Sequence, residues 1–165
     1  MRKLRIPASA GLAGLLFLLS AACAGSGSGG PGASASVACA NPSSPHRAYV
    51  VVEHLSGAAV DKCVGFTGSQ IAGDQLMKES GLVYQTQHFS FGDAVCAIDR
   101  EPASFDQCLP QNAPYWGLWT ETRGGAWQQA QVGFSQLMLG DGDTMGWRYT
   151  PATEASPAPP PEPKK

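Results

Sequence analysis

Alternation of apolar and polar positions marks the middle of the chain as strand. In "LVYQTQHFSF", Val83, Gln85, Gln87 and Phe89 fall on one face, with Tyr84, Thr86 and His88 on the other. Gly92-Asp93 then turns the chain into "AVCAI". Upstream, "RAYVVVEHL" (Arg47 to Leu55) is rich in β-branched and aromatic residues and stops at Ser56-Gly57. "VDKCVGF" follows as a strand that sets Val60, Lys62, Val64 and Phe66 against Asp61, Cys63 and Gly65. Near the far end, "TMGWRYT" reads as a closing strand after the turn "GDGD".

One helical pattern interrupts this series. Thr67 with Gln70 fits a capping box, Ala72, Leu76 and Met77 form a narrow apolar stripe, and Ser80-Gly81 supplies the stop. Gly73 works against helix formation. The order strand, strand, helix, then several strands predicts an α+β fold: a small mixed β-sheet domain with one packed helix.

"APYWGLWTETRGGAW" does not alternate in the same way. A strand from Tyr115 places Tyr115, Gly117 and Trp119 on one face and Trp116 and Leu118 on the other, and both faces are apolar. "ETRGG" reads as a hairpin loop, with "AWQQAQV" returning and carrying Trp127 on one face. Such a strand is buried on both sides, or has one side covered by something outside the domain.

The ends of the chain set its compartment. Arg2, Lys3 and Arg5 precede the apolar run from Ala8 to Ala22, the layout of a secretory signal over residues 1–24 and short for a membrane span. "LLSAAC" resembles a lipobox, which would make Cys23 the acylated first residue, although Ser20 stands where an aliphatic residue is usual. Cleavage at Ala22-Cys23-Ala24 would discard that cysteine instead. Residues 25–45 read as a Gly/Ser/Ala/Pro-rich tether, 46–150 as the domain, and 151–165 as a disordered proline-rich tail. The expectation is an extracytoplasmic protein, held at a membrane only through an N-terminal lipid or else secreted.

Of the five cysteines, Cys39, Cys63, Cys96 and Cys108 remain once Cys23 is lipidated or removed. An even set in an oxidising compartment favours disulfides. Cys96–Cys108 closes a short loop, which leaves Cys39–Cys63 by remainder; no C-x-x-C or nearby Cys/His pair supports zinc. The net charge is −2, and three of the positive charges sit in the leader, so no basic stripe recommends nucleic acid or anionic lipid as a partner.

The order of "YWGLW", "GGAW", "VGFSQLML", "GDGD" and "GWRY" resembles the transcobalamin-like C-terminal domain, over roughly Tyr49 to Tyr149. Tyr115-Trp116, Asp141-Gly142-Asp143 and Gly146-Trp147 are its most specific elements. In the vitamin carriers of that family the domain lies against one face of the corrin. The resemblance therefore implies ligand contacts at Tyr115, Trp116, Gly117, Leu118 and Trp119, and a cobamide-like ligand before any other cofactor. It implies a non-catalytic module that presents a small molecule to a membrane transport or surface protein. The carriers add a helical barrel as the other half of their clamp, and this sequence has no counterpart to it, nor a D-x-H-x-x-G stretch for ligating cobalt.

Other readings stay beside this one. The aromatic hairpin could dock on a partner protein. A hydrolase could use Asp93, Asp99, Glu101 and Asp106 around the Cys96–Cys108 loop, or His46, His54 or His88, but "VGFSQ" lacks the second glycine of a nucleophile elbow. "LGDGDTMG" has no distal glutamate for an EF-hand and reads as a turn, so no metal and no catalytic residue is expected. The four tryptophans, Trp116, Trp119, Trp127 and Trp147, are core residues first.

Overall fold

A computed structural model describes residues 36–165. The leader, Cys23 and most of the tether lie outside the described residues. The chain forms β1 (Cys39–Ala40), β2 (His46–Glu53), β3 (Ala59–Phe66), β4 (Ile71–Ala72), helix α1 (Gly73–Glu79), β5 (Tyr84–Phe89), β6 (Gly92–Ile98), β7 (Tyr115–Glu121), β8 (Gln128–Gln129), β9 (Met138–Leu139) and β10 (Thr144–Thr150). A six-stranded sheet has the order β1-β3-β2-β10-β7-β8. It is mixed, since β10 runs parallel to β2 and antiparallel to β7. The expected α+β class, a mixed sheet with one helix, is what the chain adopts.

Registry sorts the side chains into two faces. Trp147 lies opposite Val52 on one side and Leu118 on the other, and Tyr149 lies opposite Trp116. These residues, with Val50, Val64, Phe66 and Met145, form the front face. Leu76 and Met77 of α1, Ile71, Val95, Ile98, Phe134 and Leu139 pack over it as a second layer. That layer comprises the helix, the β5–β6 hairpin, the β4–β9 pair and a single 3-10 turn at Phe134–Gln136. Among the described residues no helix is long and apolar enough to cross a membrane.

The helix begins later than the capping box suggests. Residues 67–70 are loop, and Ala72 caps the helix without any side-chain hydrogen bond. The first helical N–H, that of Gly73, donates to the carbonyl of Leu137 at 3.0 Å. A neighbouring strand end thus satisfies the donor that a cap would have served. The stop stands as expected: Ser80 donates through its backbone to Leu76 and through its hydroxyl to Met77, and Gly81 has φ +73°.

Both boundaries of the domain move. Cys39 and Ala40 pair with Cys63 and Val64, so the fold starts inside the expected 25–45 tether and not at 46. The disulfide Cys39–Cys63 fixes that first strand to the sheet edge. The segment 151–165, expected to be disordered, lies on the back face of the sheet. Arg148 binds Glu154 at 2.6 Å, Lys164 pairs with Asp61, and Lys165 pairs with Glu121. Proline-rich composition argues only that the segment cannot bury a core of its own. A face already built by another part of the chain can still hold it.

Candidate functional site

The predicted contact strand is β7, and the sheet divides its residues between two places. Trp116 and Leu118 face the second layer, while Tyr115, in register with Thr150 on the Gly117 side, borders the larger cleft from the start of the strand. Gly117 and Trp119 point to the back face, in register with Arg148 and Gly146. The alternation read from sequence is therefore the alternation observed, and it separates the five candidates.

Two clefts meet at Trp116. One, of about 380 Å³, is bounded by Phe105, Pro110, Pro114, Tyr115 and Tyr149. The other, of about 200 Å³, is bounded by Phe91, Leu118, Val132 and Phe134. Val95, Leu109 and Trp116 line both, so the two clefts adjoin and together make a mainly apolar trough at Trp116. No histidine lines either. Phe91 and Val132 are exposed at the rim, and Phe91 stacks on Phe89 with ring centres 5.2 Å apart.

Trp116 is held on three sides. Its indole N–H donates to the Glu101 carbonyl at 2.8 Å, its ring lies 4.9 Å from that of Tyr149, and His54 meets it edge-on at 5.8 Å. Glu101 also receives the His54 ring nitrogen at 2.7 Å and the Leu55 N–H. One residue thus fixes both the indole and the imidazole next to it. Burial pushes the Tyr149 phenol above its ordinary range, and the Glu101 carboxylate adds to that rise.

The outer wall is the loop between β6 and β7. Four of its non-glycine residues, Asp99, Arg100, Leu109 and Asn112, have positive φ. Leu109, at φ +55°, is the unusual one, because a branched apolar side chain rarely occupies the left-handed region and yet this one lines both clefts. The Cys96–Cys108 disulfide ties the loop to β6. Both disulfides anticipated from the cysteine count are formed, which fits an oxidising, extracytoplasmic compartment. Replacing Cys96 and Cys108 together by alanine is expected to cost about 2–4 kcal/mol. Denaturant unfolding of the oxidised protein measures that loss, and a change below ~1 kcal/mol would mean the loop is held by its other contacts alone.

Sequence reading missed the carboxylate partners of the histidines. His54 lies between Glu101 and Asp99, His88 binds Asp93 at 2.7 Å, and His46 approaches Asp141. They are far apart in sequence, apart from His88 and Asp93, whose five-residue spacing across a hairpin turn could have suggested them. In the "GDGD" turn, Asp141 accepts from the Arg47 backbone and pairs with Arg123, while Asp143 accepts from the N–H groups of Arg123 and Gly140. Both aspartates serve the turn. Among the described residues no group of three or more His, Cys, Asp or Glu side chains is arranged to hold a metal ion.

What these features define is a small, disulfide-pinned α+β domain with an open aromatic trough. No family model matches the chain, and no curated protein matches it. Among solved structures, it is similar to a provisionally named metal binding protein from Ruminococcus gnavus, at 16% identity and a TM-score of 0.45, covering 62% of this chain and 94% of that one.

Proposed function

We propose that this protein is a non-catalytic binding module that holds one face of a flat, amphipathic small molecule in the trough at Trp116, with a cobamide as the first ligand to test. The observation that carries the reading is the pair of adjoining, mainly apolar clefts that share a fixed indole, one walled by Tyr115 and Tyr149 and the other by Leu118. Flat ligands suit such walls, because ring faces supply contact area at little entropic cost. The resemblance to the transcobalamin-like domain supports the same choice. Gly117 and Trp119 have no part in it, since they lie on the back of the sheet and line neither cleft.

An open trough of this size covers one side of a macrocycle and leaves the other in water, so affinity from this chain alone is modest. With no histidine in the walls, recognition rests on stacking and not on cobalt ligation. A membrane transport or surface protein would receive the ligand, and an acylated Cys23 would keep the module near it.

Calorimetric titration with cobalamin and cobinamide tests this. Saturable binding tighter than about 1 mM, near −4 kcal/mol, is expected, and Leu118→Glu should remove it while the circular dichroism spectrum is retained. Absence of saturation overturns the small-ligand reading. The exposed Phe91 and Val132 at the rim then favour the second reading, a surface that docks a partner protein.

A further inference from the structure

The back face of the sheet is built in rows. Register sets Tyr49, Thr144 and Glu121 side by side, then Val51, Gly146 and Trp119, then Glu53, Arg148 and Gly117. Segment 151–165 covers these rows with a regular rhythm. Glu154, Pro157, Pro160 and Pro163 are the shielded positions, and the residues between them are exposed. Over Pro157–Pro163, past the turn in which Glu154 donates to the Pro151 carbonyl, the period of three is that of a polyproline II helix, and prolines favour that conformation.

The rows fit the segment at each step. The Arg148 guanidinium, itself salt-bridged to Glu53, donates to the Glu154 carboxylate and to the Ala158 carbonyl. Gly146 is the floor of the middle row: a Cβ there would stand 2.6 Å from the Pro160 ring and 2.6 Å from the Trp127 indole. Pro160 and Trp127 therefore share a slot that only a glycine leaves open. Trp119 and Trp127 each keep a buried indole N–H with no acceptor. Beyond the prolines, Lys164 meets Asp61 through both its backbone and its ammonium, and its carbonyl accepts from Val37. Lys165 pairs with the buried Glu121 at 3.1 Å and lies 5.6 Å from the centre of the Tyr49 ring.

We propose that this face is a polyproline-reading groove, occupied in cis by segment 151–165, and that it takes in trans a segment of the same chemistry: a proline-rich stretch followed by lysines. Aromatic slots are a general means of holding a polyproline helix, and the acidic pair Asp61 and Glu121 sets the direction by receiving the lysines. The groove can open without stranding a charge. When the segment leaves, Glu121 loses its lysine but gains water. The cis segment competes at an effective concentration of about 1 mM, so a free peptide binds the closed protein weakly.

The test titrates a fluorescein-labelled peptide of residues 151–165 into the full chain and reads anisotropy. Two opened receptors are compared with the unaltered one: Pro157→Ser/Pro160→Ser/Pro163→Ser, and Lys164→Glu/Lys165→Glu, which alters only exposed residues. Both opened receptors are expected to bind the peptide saturably and at least about tenfold more tightly than the unaltered chain. A peptide with the same three serines should bind about tenfold more weakly, and adding Gly146→Ala to an opened receptor should abolish binding. No saturation with either opened receptor overturns the proposal. Equal binding of the proline and serine peptides also overturns it, because it reduces the contact to charge.

Discussion

Trp147→Ala is expected to lose about 3–5 kcal/mol of stability, which is a large part of what a domain of this size possesses. Trp147 is 2% exposed and occupies the centre of the front face, between Val52 and Leu118. Phe134 meets it edge-on at 5.8 Å with the ring planes 67° apart, and the Trp147 indole N–H donates to the Met77 sulfur at 3.3 Å. One ring therefore joins the sheet, the helix and the 3-10 turn. The surrounding strands are fixed by ladder hydrogen bonds on both sides, so the cavity has little freedom to collapse, which places the cost in the upper part of the range for large-to-small changes. Trp147→Phe should retain most of the stability, losing the N–H to sulfur contact and part of the ring. Urea unfolding with an unchanged m-value is the measurement. A loss below ~1 kcal/mol for the alanine variant would mean that the helix closes onto the sheet without the ring, and that the two layers are not joined here.

Trp147 also shows what could be read from the sequence. "TMGWRYT" gave a strand by pattern alone, and the same holds for β2, β3, β5, β6 and β7, because alternation and β-branched content are local properties. The division of β7 into two faces was equally legible. What covered each face was not, because it depends on residues far away in sequence. The chain itself covers most of both faces of "YWGLW": the second layer packs over Trp116, which still lines both clefts, and the segment 151–165 covers the sheet around Trp119. Composition marked that segment as unable to fold alone, and its prolines at 157, 159, 160, 161 and 163 do not by their spacing single out the three that the sheet shields, Pro157, Pro160 and Pro163. In β5 the reverse occurs. Its alternation is regular, but Gln85, Thr86, Gln87 and His88 are all exposed, so the pattern named the strand without naming a buried face. For the site, Tyr115, Trp116 and Leu118 were legible through the motif. The opposite wall, with Leu109 at positive φ, was hidden in a loop whose shape depends on a disulfide and on Glu101 holding Trp116.

Gly73→Ala should destabilise the protein by about 1–3 kcal/mol, against the sign that helix propensity gives. Glycine is the poorest ordinary helix former, and an exposed glycine within a helix would gain up to ~1 kcal/mol on becoming alanine. Gly73 is not exposed. It opens α1 against the 3-10 turn, and an added Cβ would collide with the carbonyl of Phe134, with the Leu137 Cβ 3.4 Å away. The obstacle is backbone, so no rotamer change relieves it. That backbone is itself held, since the Leu137 carbonyl accepts from Gly73, Gln136 donates to the Phe91 carbonyl, and the Phe134 ring is buried in the core. Relief requires moving the helix start or the turn, and either motion disturbs the contact of Phe134 with Trp147. The packing cost therefore exceeds the propensity gain. Lys78→Ala, on the exposed side of the same helix, should change stability by less than ~0.5 kcal/mol and serves as the comparison. Urea midpoints of the two variants decide the matter. If Gly73→Ala raises the midpoint, the helix and the turn stand further apart than described, and the glycine that weakens the helical pattern in the sequence is only a weakness.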